Sequence, residues 1–197
     1  MLKCLRCLRK YLKNGFKHFI TICKHKSAVW YFGRKIGIGW RTFFHDFSKF
    51  HPTEFFESIK YYTGTRSPID VCKEINGYSM AWNHHKGHNP HHYEYWVHNL
   101  DKGGVPIKIP DKYIKEMFCD FLAAGFTYSK GNCTFSDECK WWVNKTSKTI
   151  AMHKDNIKFF DSIFSYLYVF FGDKKLKDIN RNSWRCIRSK INELLHI

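Results

Sequence analysis

Apolar residues recur along most of the chain at intervals of three and four, the spacing of one face of an α-helix. No run alternates apolar and polar residues long enough to predict a sheet. The pattern predicts helices over residues 16–36, 40–50, 52–59, 69–85, 111–124, from 136 onward, 155–171 and 183–195. The fold class predicted is therefore all-α.

Breakers and caps set the expected helix ends. The Gly37-Ile38-Gly39 run separates the first two helices, and Pro52 suits the first position of the third. Asp111 and Ser136 are expected to cap later helices, because a short side-chain oxygen can accept from the free backbone amides there.

The chain has no internal repeats and no low-complexity linkers, so a single domain is expected. Within it, we distinguish a basic N-terminal segment (residues 1–15), a helical metal-binding domain (16–172) and a basic C-terminal helix packed on that domain (173–197).

The 44% hydrophobic and 18% aromatic content excludes a disordered chain. The formal net charge is +16, with 33 Lys and Arg against 17 Asp and Glu. Such an excess favours an anionic, phosphate-containing partner, such as a nucleotide, a nucleic acid or an anionic membrane surface. Lysines that merely solvate helix faces explain the charge equally well.

The N-terminus lacks the apolar run of a secretory signal, and the longest apolar stretch, 163–171, is too short to span a bilayer. Eight scattered cysteines then favour a reducing, cytoplasmic setting. Cys4 and Cys7 form an isolated CxxC, which is weak evidence for zinc. Four leucines share a helical face at the N-terminus, and a solvated helix start is favoured over peripheral membrane contact or acylation of the cysteines. They are Leu2, Leu5, Leu8 and Leu12.

Six of the twelve histidines lie within residues 83–98, NHHKGHNPHHYEYWVH. A turn around Gly87 to Pro90 should let the first His pair close one helix and the second pair open the next. Histidine is a metal ligand, a general acid or base and a pH switch, so the cluster alone does not choose between these uses.

Four further residues extend this cluster. His45 and Asp46 end an aromatic run, where a buried carboxylate is costly without a partner. His25 lies one helix earlier, and Asp120 stands on another apolar helix. Each residue alone has a structural explanation, but together they suit one or two divalent ions.

In this order the residues resemble the HD superfamily of metal-dependent hydrolases, whose signature is H…HD…H…H…D on a helical bundle. More narrowly, HDFSKF, HHKGHNPHHYEYW and IPDKYIKEMFCDF look like an uncharacterised HD-related family frequent in phage and bacterial genomes. The likeness spans roughly residues 25–165.

The resemblance implies a set of metal ligands. His25, His45, Asp46 and Asp120 take the metal positions, and one His from each pair completes a two-metal site. His85 and His92 are favoured, because His85 continues the face of Trp82. His84 and His91 are expected as additional or outer ligands.

The resemblance also implies two catalytic residues. Lys49 follows Asp46 by three residues, as in the HDxGK variant, where the lysine binds phosphate or stabilises developing charge. Glu54 stands where related nucleotidases place an acidic residue near the attacking water. Ser48 replaces the glycine of HDxGK and the GYP element is absent, which argues against a cyclic dinucleotide substrate.

The favoured function is a metal-dependent phosphohydrolase acting on a nucleotide or another phosphoester. Mn²⁺ or Fe²⁺ is the expected cofactor, with Mg²⁺, Ni²⁺ and Zn²⁺ as other options. One alternative is a di-iron oxygenase, since myo-inositol oxygenase uses the same ligand set.

The other alternative is a metal-stabilised nucleic-acid-binding module, in which Tyr93, Tyr95 and Trp96 stack on bases, although packing in the core is favoured for these rings. The extended ligand set speaks against it, because structural zinc needs only four ligands.

Overall fold

The computed structural model describes residues 2–147 and 150–196, with side chains from residue 5 onward. The fold is all-α, as predicted, and the described residues form one domain. Its helices are α1 (Leu2–Ile36), α2 (Gly39–Phe43), α3 (Pro52–Tyr61), α4 (Pro68–Asn76), α5 (Met80–His88), α6 (Asp111–Tyr128), α7 (Phe135–Thr146), α8 (Lys154–Phe171) and α9 (Arg181–Leu195). Short 3₁₀ turns cover Phe47–Phe50, Tyr93–Trp96, Leu100–Lys102 and Leu176–Asp178.

Helix α1 is the central element of the fold. It packs against α2, α3, α6 and α9. Its buried positions Val29, Phe32 and Ile36 recur at intervals of three and four, so they form one stripe facing the core. Helix α6 meets this stripe with an apolar face of its own, which includes Ile114 and Phe118.

The remaining core lies between α7, α8 and α9 and is dominated by aromatic side chains. Trp142 stacks on Phe164 with ring centroids 5.6 Å apart, and Trp184 and Phe135 are fully buried beside them. Such rings remove large apolar areas from water and account for much of the stability of the domain. None of the described helices combines the length and apolar character that crossing a bilayer requires.

Two predicted helices are broken in the structure. Residues 40–50 form α2, a turn and a 3₁₀ turn rather than one helix, because Asp46 adopts a left-handed backbone conformation with φ of 56°. Residues 69–85 form parts of α4 and α5, because Gly77 ends α4 with φ of 78° and Ser79 then caps α5.

Several helix ends also differ from the predicted ones. Helix α1 begins at Leu2 rather than at residue 16, and so runs through the boundary placed after residue 15. Pro110, not Asp111, is the cap of α6. Thr134, not Ser136, caps α7, because its hydroxyl accepts from the Asp137 amide while the Asp137 carboxylate accepts from the Thr134 amide.

The segment between α5 and α6 holds a two-residue antiparallel hairpin. Strand β1 (Val97–His98) pairs with β2 (Val105–Pro106), with the 3₁₀ turn Leu100–Lys102 between them. Helix α5 continues to His88, so the second histidine pair lies in a turn and does not open a helix.

Candidate metal centre

Four parts of the chain deliver imidazoles and carboxylates to one buried place. Helix α1 supplies His25, the turn after α2 supplies His45 and Asp46, and α6 supplies Asp120. The fourth part is α5 with the turn that follows it, which supplies His85, His91 and His92. The left-handed conformation of Asp46 reverses the chain directly after His45, and aspartate tolerates it better than most residues.

The first ligand group consists of His25, His45, Asp46 and Asp120. Asp120 Oδ1 lies 2.9 Å from His25 Nε2 and 3.4 Å from His45 Nε2. Asp46 Oδ2 lies 3.1 Å from His45 Nε2 and 3.7 Å from His25 Nε2. All four residues are buried apart from a small part of Asp120.

The second ligand group consists of Asp46, His85, His91 and His92. Asp46 Oδ1 lies 3.3 Å from the Nε2 atoms of both His85 and His91. His92 Nε2 lies 2.9 Å from His85 Nε2. The two oxygens of Asp46 thus face different groups, Oδ2 the first and Oδ1 the second.

The chemistry of these atoms fits a divalent ion. His25 Nε2, His45 Nε2, His91 Nε2 and both oxygens of Asp46 are buried and lack a hydrogen-bond partner of acceptable angle, although they lie close together. In each group, one ligand atom from every residue lies within 4.8 Å of the others. Nitrogen and oxygen atoms that converge without hydrogen bonding are arranged as metal ligands are. The buried cluster could therefore hold a metal ion.

Outer carboxylates hold the far side of the imidazole rings. His45 Nδ1 and His91 Nδ1 lie 3.1 Å and 3.4 Å from Glu116 Oε1, and Arg41 Nε forms an ion pair with Glu116 Oε2 at 2.6 Å. His85 Nδ1 lies 2.7 Å from Glu54 Oε2. A ring that donates through Nδ1 presents a free Nε2 lone pair, as metal-binding histidines commonly do.

Glu116 and Arg41 were not predicted, although Glu116 carries a signal in the sequence. It stands four residues before Asp120 on α6, so both carboxylates point to the same side of that helix. Asn89 was also missed. Its amide donates to the His85 carbonyl and to Ser48 Oγ, both at 2.7 Å, and so ties the end of α5 to the turn that holds Asp46.

The structure divides the other predicted residues into two sets. His85 and His92 lie in the second group together with His91, which was expected only as an additional or outer ligand. His84 lies apart from both groups, stacked between His51 and His88 with Nδ1 2.7 Å from Glu54 Oε1. Both Glu54 oxygens thus contact imidazoles, whereas the resemblance implied a place for Glu54 near the attacking water.

The electrostatics reflect two buried carboxylates beside several imidazoles. Burial raises the pKa of Asp46, but His45, Lys49 and His85 outweigh this effect and hold it well below its usual value. Burial lowers the pKa of His45, yet the adjacent carboxylates raise it well above the usual value. Burial and the neighbouring imidazoles lower the pKa of His92. A divalent cation would offset the carboxylates in place of the His45 proton.

Lys49 stands beside the ligands on the side of a cavity. Its Nζ lies 2.6 Å from Asp46 Oδ2, and its side chain is about one-quarter exposed. Burial lowers its pKa, but Asp46 and Asp120 reverse that effect and raise it, so the ammonium stays charged.

The cavity has a volume of about 350 Å³ and is bordered by His25, His85, His92 and Asp120. Aromatic side chains line the walls beyond the ligands, together with Lys73 and Lys145. The aromatic residues are Trp82, Tyr93, Phe121, Tyr128 and Trp141.

A family model matches residues 14–166, a span that includes every residue of both ligand groups. The chain belongs to the family of unknown function DUF5662. No curated protein and no solved structure matches it significantly. The matched region thus includes both ligand groups of the candidate metal centre, and the family description assigns them no reaction.

Proposed function

We propose that this DUF5662 member is a metal-dependent phosphohydrolase with an HD-type centre for one or two ions. The observation that carries the proposal is the placement of Asp46, whose two oxygens face two separate ligand groups with Lys49 beside them. A carboxylate shared by adjacent ions is a recurring feature of two-metal sites that cleave phosphoesters.

The donor atoms suggest which ions would bind. His25, His45, Asp46 and Asp120 would hold one ion, and Asp46 with His85, His91 and His92 would hold the other. Mixed imidazole and carboxylate donors without thiolate favour Mn²⁺ or Fe²⁺, with Mg²⁺, Ni²⁺ and Zn²⁺ as further options. Bound divalent ions supply Lewis acidity toward phosphoryl oxygens and make water a nucleophile at neutral pH.

Lys49 supplies a fixed positive charge at the cavity wall. Since its pKa is raised, it remains an ammonium and is not itself a ligand. It can donate to a phosphoryl oxygen as negative charge develops there. Glu54 orients the His85 ring, and Glu116 orients the His45 and His91 rings.

The cavity walls support a nucleotide or a similar phosphoester as substrate. Trp82 and Trp141 offer flat apolar surfaces for a ring, while Lys73 and Lys145 add positive charge for phosphate. Lys73 Nζ lies 4.0 Å from the centroid of the Trp82 ring, so an aromatic surface and a cation stand side by side.

The test compares wild type with Lys49→Ala on nucleotides and a generic phosphodiester, with Mn²⁺ and with Fe²⁺. Lys49→Ala should retain metal but lose about 10²–10³-fold in turnover, because one charge aimed at the transition state is removed. Phosphate release and metal content are measured together. Lys108→Ala, at an exposed lysine that does not line the cavity, is the control and should match wild type.

Two outcomes would overturn the proposal. Oxygen uptake with Fe²⁺ and no phosphate release from any substrate would identify a di-iron oxygenase. Metal binding without either activity would identify a binding module.

A further inference from the structure

The outer side of α1 carries a stripe of exposed apolar side chains at intervals of three and four residues. They are Leu5, Leu8, Leu12, Phe16 and Phe19, each about half exposed or more. Residues 5–13 are exposed at every position, so this end of α1 projects from the domain. A projecting helix gains its stability from a partner for its apolar face rather than from the core.

The stripe continues into an aromatic ridge, which we define as Phe19, Phe50, Phe47, Phe44, Phe43 and Trp40. Successive rings lie 5.7, 6.4, 6.0, 5.1 and 6.2 Å apart between centroids. All six are exposed, and Trp40 is the most exposed at 80%. Stripe and ridge therefore form one continuous apolar surface, larger than the scattered exposed residues normal for a protein.

The charges around this surface have a single sign. Helix α1 contains ten Lys and Arg and no Asp or Glu. The first acidic residue of the chain is Asp46, which is buried. Around the projecting end, the cations take the side of α1 away from the stripe. They are Arg6, Arg9, Lys10, Lys13 and Lys17.

Cations also border the ridge itself. The Arg34 guanidinium lies 5.1 Å from the centroid of the exposed Trp30 ring, which in turn lies 6.3 Å from that of Phe43 in the ridge. Lys26 Nζ lies 4.0 Å from the centroid of the Phe47 ring but donates to the His45 carbonyl. Long basic side chains that lie along aromatic rings can keep their charged ends toward lipid headgroups while the rings enter the apolar layer.

We propose that the stripe and the aromatic ridge bind the surface of an anionic lipid bilayer. A helix with Leu and Phe on one face and Lys and Arg on the other is typical of helices that lie in the membrane interface. Anionic headgroups would balance the uncompensated charge of α1, because each Lys or Arg near the surface is attracted to them.

Other occupants fit less well. A second copy would bring two chains of net charge +16 together without acidic groups from this region to offset them. A nucleic acid would contact the cationic side of α1 and leave the stripe in water, and Leu5, Leu8 and Leu12 cannot stack on bases.

The test measures co-sedimentation of the full chain with phosphatidylcholine vesicles, with and without phosphatidylglycerol. Binding should need the anionic lipid and weaken as salt rises. Leu8→Ser/Leu12→Ser should weaken it by about tenfold or more, because two apolar side chains leave the interface. The control Ile75→Ser/Val169→Ser removes two equally exposed apolar side chains elsewhere and should bind as wild type does.

Circular dichroism melting should be unchanged in both double variants, since all four side chains are exposed. Vesicle binding that survives Leu8→Ser/Leu12→Ser would overturn the proposal. The absence of vesicle binding by the wild type would also overturn it. In that case a dimer in solution, or binding of single-stranded DNA that Leu8→Ser/Leu12→Ser abolishes, would be the alternative result. Either of those results would name a different occupant.

Discussion

At the residue scale, Asp46 is the position on which the candidate centre depends. It is fully buried, it belongs to both ligand groups, and its backbone takes a conformation that most side chains avoid. Asn tolerates that conformation about as well as Asp, whereas Ala does not. An Asp46→Asn variant therefore removes the charge with little added backbone strain, while Asp46→Ala removes the charge and also strains the backbone.

Glu116 provides a test of how the imidazoles are oriented. Glu116→Gln should lower metal affinity by about 10- to 100-fold, because a neutral amide holds the His45 and His91 rings less well than a carboxylate. Isothermal titration with Mn²⁺ measures the affinity. Glu74→Gln breaks a comparable Glu–Arg pair on the exposed surface and should bind metal normally. An affinity of Glu116→Gln within twofold of wild type would remove Glu116 from the site.

Glu138, which belongs to neither ligand group, should make stability depend on pH. Burial raises the pKa of this carboxyl from 4.5 to about 7. Between those values the folded protein holds a proton on Glu138 that the unfolded chain releases, so the contribution of Glu138 to stability falls as pH rises through this window and levels off above it. The loss is on the order of 3 kcal/mol.

Denaturant unfolding at several pH values measures this effect. Histidines with a lowered pKa, such as His18 and His92, act in the opposite direction, so the variant is compared with wild type at each pH. The difference in unfolding free energy between Glu138→Gln and wild type should change by about this amount between pH 4.5 and 7, and the exposed Glu193→Gln should show no such change. A Glu138→Gln profile that keeps the full wild-type slope would show that another group is responsible.

The residue types of the site could be predicted from the sequence, but their individual roles could not. The order of His25, His45, Asp46 and Asp120 suggested a common centre because buried carboxylates need partners. The choice among His84, His85, His91 and His92 depends on the turn at residues 89–92, which orients His91 toward Asp46 and leaves His84 with Glu54. Spacing alone does not fix that turn.

At the element scale, the close packing of α2 against α1 positions the candidate ligands His45 and Asp46. A Cβ built on Gly33 would lie 2.0 Å from Thr42 Oγ1, so only glycine lets the two helices approach this closely. Thr42 is fully buried and its hydroxyl donates to the Gly39 carbonyl. The turn that carries His45 and Asp46 begins two residues later, so its position follows from this contact.

Gly33→Ala should destabilise the protein by about 1–3 kcal/mol, although alanine favours a helix, because the added methyl group forces α2 away. It should also weaken metal binding, since His45 and Asp46 move with α2. Gly87→Ala in α5 is the control, because its Cβ meets no atom within 4 Å and should be neutral or stabilising by up to about 1 kcal/mol. Equal free energies of unfolding for Gly33→Ala and Gly87→Ala would contradict this expectation, because they would show that α2 shifts without a cost in stability.

The helices themselves could largely be predicted from apolar spacing, while their ends could not. The spacing located α8 and the core face of α1, since a long amphipathic pattern has few other solutions. It misplaced the cap of α7 because Thr134 and Ser136 are both good capping residues, and only the reciprocal bonds with Asp137 separate them.

At the scale of the whole molecule, the candidate centre joins segments far apart in the sequence. His25 and Asp120 belong to α1 and α6, whose packing dominates the central core. Periodicity predicts which side of each helix is buried but not which helices pair. The meeting of His25 with Asp120 was predicted from the resemblance to HD proteins and not from the apolar pattern.

Because the ligands come from several elements, metal binding should stabilise the entire fold. At about 100 times the dissociation constant, Mn²⁺ should add about 2.7 kcal/mol to the free energy of unfolding. Thermal melting with Mn²⁺ and with a chelator measures this gain. Asp46→Asn should abolish it, and Asp101→Asn, in an exposed turn, should keep it. A metal-dependent shift of wild-type size in Asp46→Asn would contradict the assigned ligand groups.

Because α1 is one unbroken helix, it fixes the orientation of the stripe relative to the cavity. The stripe that includes Leu12 and the cavity-lining residues His18, Ile22 and His25 lie on different sides of one helix. The rise of 1.5 Å per residue puts Leu5 and His25 about 30 Å apart along its axis. A bilayer on the stripe would therefore contact a different side of α1 from the side that borders the cavity. Small molecules would still reach the cavity by diffusion through water. The bilayer would then determine only at which surface the protein encounters them.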